Sequence, residues 1–463
     1  MTTPIPQPPG VPLLGNIFDI NPSNTWTSLN KLAAKWGPIF KINALGTQIV
    51  FVSNAALLEE ICDETRFRKC VTGPIVEIRQ AVHDSLFTAL PSEDRIWGIA
   101  HRIMAPWSSD ESNRTTFNDM RDGIAAIVPA WATGSQQNVN VADGLKRLNL
   151  QSVQWTYFHQ KAEYMTGPFP AFLTAIDRST MESVKRPTRP RFLNWLVYQR
   201  GYSKDIRTMR SFGTDVISKR RSEEEHPTDM LDALLNGKDP ETGESLDDGR
   251  VIDEIINIFI GSATSPCLLT FAMYYLLKNP EYITKAREEI DSILGADGEL
   301  SSENLPKFQY TEGILRETMR LSAVAPGFNI EPRPDVNKDP YVTLAGGTYK
   351  IPNNQAIIAI LGGVNRDPAV FDDPDAFRPE RMVGEAYDKL PSGVKKGFGN
   401  GKRRCFGTKF AWQWSWITLI TVLREVDFKL ADEKYTIDGD VNGAYCVQPW
   451  NFVATVEKRK GRP

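Results

Sequence analysis

Cys405 stands in the run Phe398-Gly399-Asn400-Gly401-Lys402-Arg403-Arg404-Cys405-Phe406-Gly407, between two glycines and two residues after an arginine. A thiolate stays deprotonated where positive potential and N–H donors surround it. The basic run supplies the potential. The segment that follows, Thr408 to Ile420, reads as a long helix whose free amides and dipole supply the donors. Glycine at 401 and 407 is expected to let the backbone turn with positive φ and bring amides close to the sulfur. The chemistry is that of one thiolate held against a metal. The alternative is a buried structural cysteine in a glycine-rich turn.

Three further groups could work with such a centre. Glu317 and Arg320 lie three apart in a helical pattern, on one face, and can pair. Phe377-Arg378-Pro379-Glu380-Arg381 follows about sixty residues later. Trp97-Gly98-Ile99-Ala100-His101 places two N–H-bearing rings on one helix. Ile260-Gly261-Ser262-Ala263-Thr264-Ser265 is a small, polar interruption in the otherwise apolar stretch Ile255 to Leu277, which carries no charge. That stretch is long enough for a membrane helix, but its centre suits a helix buried in a large core and passing close to a ligand.

The pattern F-x-x-G-x-R-x-C-x-G resembles the heme-binding loop of the cytochrome P-450 superfamily, the heme-thiolate monooxygenases. The order and spacing of the other motifs fit that resemblance. It implies a mainly α fold with small β-sheets, the cytochrome P-450 fold, in one heme domain over residues 1–463. It implies heme b, with Cys405 as the metal ligand. Arg403, Phe398, Gly401 and Gly407 would form the loop against it, and Trp97, His101 and Lys69 would meet its propionates or edge. In the family the second Trp-motif position is usually arginine; here it is His101. Glu317, Arg320 and Arg381 take structural roles beneath the heme.

The segments Asn236 to Asp248, Cys62 to Phe67 and Ser85 to Thr88 are similar to soluble bacterial and fungal fatty-acid hydroxylases, whose heme domain is fused to a flavin reductase. The resemblance implies insertion of one oxygen atom from O2 into a lipophilic substrate, with electrons from NADPH through a flavin reductase. Whether this domain stands free or belongs to such a fusion is left open.

Two departures matter. The family usually reads [Ala/Gly]-Gly-x-[Asp/Glu]-Thr-[Thr/Ser] over the heme. Here Thr264 keeps the hydroxyl and Gly261 the glycine, but Ala263 replaces the acid and Ile260 a small residue. O–O cleavage needs two protons, usually through an acid–alcohol relay. Either Thr264, Ser262 and Ser265 hold enough water to suffice, or the reaction differs: peroxide use, or an isomerase- or cyclase-like rearrangement. Secondly, the arginine and tyrosine that hold a fatty-acid carboxylate are matched by Thr47 and Phe51, which cannot neutralise one. A neutral lipophilic or polyketide-like substrate, as in secondary metabolism, is expected. By match the pocket wall includes Phe87, Ile260, Ala263, Thr264, Ala325 and Val447. A heme-based binding or sensing protein without turnover is the reading from another class. Ile260 and the missing acid suit it; Thr264 and a basic face of Lys395, Lys396, Lys402, Arg404 and Lys409, fit for an acidic flavin domain, argue against it.

Composition agrees with a soluble, cytoplasmic enzyme. The 463 residues carry net charge −3 with signs mixed, which does not suggest nucleic acid as partner. Five scattered cysteines without a C-x-x-C pair point to a reducing compartment, and the four histidines show no zinc spacing. No signal peptide or transmembrane anchor is expected in the first thirty residues. The elements positioning these groups are hairpins at 38–53 and 341–352, strand character at 445–456, and helices at 54–65, 93–105, 114–132, 204–223, 250–278, 279–294 and 308–323.

Overall fold

The computed structural model describes residues 2–224, 226–437, 441–443 and 445–461. Residues 1, 225, 438–440, 444, 462 and 463 of the expected single domain lie outside them. The described residues are mainly helical and form four small sheets.

Both expected hairpins form. Ile39–Ala44 pairs antiparallel with Thr47–Val52, and Tyr341–Leu344 with Tyr349–Pro352. The first hairpin extends into a five-stranded sheet through Ile357–Ile360, Gly327–Pro332 and the short edge strand Phe67–Lys69. Lys69 lies opposite Ile330 in that register. The strand Gly327–Pro332 begins two residues after Ala325 and pairs with Phe67–Lys69, so neighbouring strands carry both positions. The 445–456 segment splits into Val447–Pro449 and part of Val453–Lys458.

Two helices frame the site. The distal helix runs from Asp248–Ser262 to Thr264–Lys278 and is interrupted at Ala263. Asp247 caps it by accepting from Arg250 N at 3.0 Å. Its span is apolar enough to cross a membrane by length and composition, yet 67% of that window is buried in the protein core. The proximal helix, Thr408–Glu425, starts three residues after Cys405 and is buried over most of its length, with Trp414 fully so.

Two expected helices differ in extent, and two others were not expected. The 54–65 helix ends at Ile61, because Asp63 turns the chain by accepting from Thr65 N and Thr65 Oγ1. The 114–132 helix is three helices, Asp110–Thr115, Phe117–Ala125 and Ile127–Trp131. Thr116 breaks it by bonding back to Ser112 O at 2.7 Å, and Pro129 removes a donor. Val141–Phe158 and Ala171–Lys185 are helices that periodicity does not reveal. Asn149, Gln151, Ser152 and Gln154 are buried there beside Leu148, Leu150 and Val153, so no polar face exists to mark the turn.

Candidate active site

The cysteine loop is tied down on both sides of the sulfur. Cys405 N donates to Phe398 O at 2.9 Å, and Thr408 Oγ1 donates to Cys405 O at 2.7 Å. Phe398 meets Trp412 of the proximal helix edge-on at 6.1 Å. Gly401 has φ +61°, and the Glu64 carboxylate occupies the place where its Cβ would stand. Glu64 Oε1 accepts from Lys402 N at 2.8 Å, and Asn400 Nδ2 donates to Cys62 O at 2.7 Å. Gly407 does not need positive φ: it has φ −80°, ordinary for any residue, and a Cβ there would touch nothing within 4 Å. Burial pushes the Cys405 thiol up, opposed by the Gly407 N–H, the Thr408 hydroxyl, Arg404 and Lys69. The donors expected at the helix start are present, but in the protein alone desolvation outweighs them.

A cationic corner lies beside the loop. Arg403 Nη2 donates to Ala89 O at 3.0 Å and Leu86 O at 3.3 Å, and its guanidinium lies 4.9 Å from the Trp97 ring centre. Its Nε is buried without a partner. Trp97 stacks on His101 at 4.6 Å, and His101 meets Phe406 edge-on. Burial and then Arg102, Lys402 and Arg403 pull His101 down. Lys69 Nζ donates to Phe87 O at 2.7 Å, and burial brings its ammonium down to about 7. Asp94 reaches Arg403 Nη1 at 3.6 Å.

Beneath the loop, Arg320 grips Glu317 through two bonds of 2.7 and 2.8 Å and also donates to Asn365 O, Pro374 O and Ala376 O. Arg381 Nε lies 3.5 Å from Glu317 Oε1, and Arg378 N donates to the same oxygen. Glu317 is fully buried.

On the opposite side, Thr264 Oγ1 donates to Gly261 O at 3.0 Å across the interruption. A Cβ at Gly261 would meet nothing within 4 Å and Gly261 is exposed, so the helix opens onto free space there. Ser262 does not face that space: Asn149 Nδ2 donates to its hydroxyl at 2.9 Å from the helix behind, and the hydroxyl donates to Phe259 O. Ser265 is buried. Of the three hydroxyls expected to hold water, Thr264 alone is presented. Ala263 O accepts from Cys267 Sγ.

The pocket positions converge in part. Phe87 and Ala325 are half-buried; Ile260 and Val447 are buried. Val447 N donates to Val324 O, which sets it beside Ala325. Phe51 is core rather than pocket mouth: it is 2% exposed and stacks on Phe40 at 5.1 Å, because the strand alternates it inward. Thr47 is exposed. Sequence reasoning missed Tyr445, which meets Phe87 edge-on at 5.7 Å, and the pair Glu254 and Asn257, whose signal was two polar side chains three apart in an apolar helix. Two outer clefts of about 630 and 450 Å³, one along Gln136 to Asn138 and one along Arg207 to Asp215, touch none of these residues. Among the described residues no His, Cys, Asp and Glu cluster could hold a metal ion by itself.

A lone thiol on a glycine loop, a cationic corner beside it and an interrupted helix across from it together define a heme-thiolate site. Residues 5–449 match the cytochrome P450 family, and the chain belongs to it. It is 36% identical over 464 residues to the bifunctional cytochrome P450/NADPH-P450 reductase ascE of Acremonium egyptiacum, covering 98% of this chain and 43% of that protein. It is 36% identical over 466 residues to the self-sufficient cytochrome P450 monooxygenase CYP505E4 of Penicillium freii, and 34% identical over 470 residues to a bifunctional cytochrome P450/NADPH-P450 reductase of Fusarium oxysporum; each alignment covers 99% of this chain and 43% of the relative. The chain thus spans less than half the length of these relatives.

Heme, the family's prosthetic group, fits the residues present. Cys405 keeps accessible surface although protein surrounds it, as a side chain bordering an internal cavity does. Lys69 and Arg403 are desolvated basic groups; Asp94 lies 3.6 Å from Arg403 Nη1, and Arg403 Nε lacks an acceptor. Two carboxylate-bearing propionates answer that need.

Proposed function

We propose that this chain is the heme domain of a monooxygenase that inserts one oxygen atom from O2 into a neutral lipophilic substrate in the cytoplasm. The overall balance is R–H + O2 + 2 e⁻ + 2 H⁺ → R–OH + H2O, with NADPH as the electron source through a flavin reductase. The observation that carries the reading is Cys405 on its anchored loop at the start of the proximal helix, with the Thr264 hydroxyl presented at the interruption of the distal helix beside it in support.

Bound there, heme supplies an iron that, with a thiolate ligand, activates O2 for O–O cleavage. Cys405 is the ligand. Arg403, Lys69, Trp97 and His101 hold the propionate edge. Thr264 presents a hydroxyl that moves protons towards the oxygen. Phe87, Ile260, Ala325 and Val447 exclude water and hold the substrate. Exposed Thr47, which carries no charge to neutralise a carboxylate, supports a neutral substrate.

Ala263 favours a second reading, peroxide-driven catalysis, because no carboxylate stands beside Thr264 to feed protons. One experiment separates the two. The protein receives neutral lipophiles with NADPH, a flavin reductase and ¹⁸O2 in one arm, and labelled hydrogen peroxide in the other. Label from the first arm supports monooxygenation. Label from the second arm alone overturns it.

A further inference from the structure

Glu254 and Asn257 sit in the amino-terminal half of the distal helix and belong to no motif described above. Leu86 N donates to Glu254 Oε1 at 3.0 Å, and Asn257 Nδ2 donates to Glu254 Oε2 at 3.0 Å. Glu254 is 2% exposed, whereas Asn257 keeps accessible surface. Asn257, Gly261 and Thr264 stand at i, i+4 and i+7, so they share one helix face. That is the face on which Gly261 opens onto free space. Among the described residues nothing takes the second amide atom of Asn257. Leu86 precedes Phe87, so the same carboxyl braces the pocket loop and the amide.

The pair is neutral. Burial, more than any other cause, raises the Glu254 carboxyl; its two N–H donors oppose this, Asp253 and Asp84 add to it, and the net effect brings it to about 8. The basic side chains that face these acids are already engaged: Arg210 and His83 with Asp253, and Arg250 with Asp84. A carboxylate arriving at Asn257 would therefore meet three acids whose basic partners are taken. A hydroxyl or carbonyl oxygen meets an amide fixed in place, which can accept from the first or donate to the second.

We propose that Asn257, held by Glu254, is the pocket's polar recognition point, and that it binds a neutral hydroxyl or carbonyl oxygen carried by the substrate. Seven residues at 1.5 Å rise put this point about 10 Å along the helix from Thr264, and so that far from the carbon oxidised. The proposal rests on the monooxygenase reading for the identity of the ligand as a substrate.

The test uses the heme-loaded chain and four ligands of one length: decane, 1-decanol, 2-decanone and decanoate. Kd is read from the optical spin-state change and from calorimetry. The alcohol and ketone should bind about five- to tenfold tighter than the alkane, the effect of one net hydrogen bond, and decanoate should bind more weakly than either. Asn257→Leu should erase that preference while leaving the alkane unchanged or tighter. Glu254→Gln, which can still accept from Leu86 N and bond Asn257, should preserve it. If Asn257→Leu does not load heme, Asn257→Ala must still erase the ratio, whatever it does to absolute affinity. Equal affinities for decane and decanol in the native protein, or a ratio that survives both variants, overturns the proposal. Oxygen preference without label incorporation would instead sink the monooxygenase reading and leave the recognition point standing.

Discussion

The loop side and the helix side of the site are built to different standards. Around Cys405 nearly every backbone group and side chain has a fixed partner: Phe398 O, Thr408, Glu64, Asn400 and the Glu317–Arg320–Arg381 group beneath. Across the cavity, Thr264 makes one bond within its own helix, Ala263 offers only a methyl, and Ser262 is turned away. Holding a metal ligand demands one geometry; handling different substrates and protons tolerates several. The difference teaches that the loop side should fail all at once when broken, and the helix side by degrees.

The sharpest break is Cys405→Ser. A serine hydroxyl does not ionise at neutral pH, so the thiolate ligand is lost outright. The ferrous carbon monoxide complex should lose its thiolate-type red-shifted band, and product formation should cease. Next comes Glu317→Ala. It leaves Arg320 buried at 3% exposure with its charge uncompensated, and removing one partner of such a pair costs about 3–5 kcal/mol. Urea unfolding should show the loss, and retained stability would mean the three carbonyls around Arg320 suffice alone.

How much was legible follows the same division. Cys405 could be read because its neighbours in space are largely its neighbours in sequence, a decapeptide and the helix that follows. Glu317 and Arg320 could be read from helical spacing, but Arg381 needed the family resemblance, since its contact spans a long loop. Gly401 has the expected positive φ and Gly407 does not, because a glycine in ordinary backbone with open space around it looks the same in sequence as one that turns the chain. On the helix side, Ala263 was legible as a departure. The turning away of Ser262 was not, since it depends on Asn149 in a helix buried all round. Phe51 was misplaced because a matched position carries no information about which face of the strand is buried.

Glu254→Gln sharpens the comparison from the helix side. Glu254 ionises near 4.5 when unfolded and stays neutral in the fold up to about 8. The unfolded chain therefore releases a proton that the fold retains, and stability falls as pH rises from about 4.5 to about 8. The glutamine variant escapes that loss. It should match the native protein near pH 4 and exceed it near pH 8 by at most about 4 kcal/mol. Midpoints of thermal unfolding across this range check it; parallel curves would mean Glu254 ionises within the fold. Ala263→Glu acts more mildly, on yield. A carboxyl beside Thr264 should raise product formed per NADPH consumed, and an unchanged ratio would mean proton supply does not limit turnover.

The smallest effect is expected at the outer rim of the loop side. Of its five basic residues, Lys409 pairs with Asp110 at 2.7 Å and Lys402 with Asp94 at 3.2 Å, so they add little net field. Lys395 and Lys396 bond only to Asp388 O and Asn400 Oδ1, neutral oxygens, and Arg404 is exposed. Positive potential is therefore concentrated on these three. Reversing Lys395 and Lys396 to glutamate should slow reduction of the heme by a flavin reductase by roughly threefold to tenfold at about 0.01 M salt, where the Debye length is about 30 Å. At about 0.15 M salt the Debye length falls to about 8 Å and the two rates should converge. Stopped-flow reduction at both ionic strengths reads this directly. A defect of equal size at both would assign these lysines to packing of the loop over Tyr387, which Lys395 Nζ overlies at 4.8 Å, and not to steering of a partner.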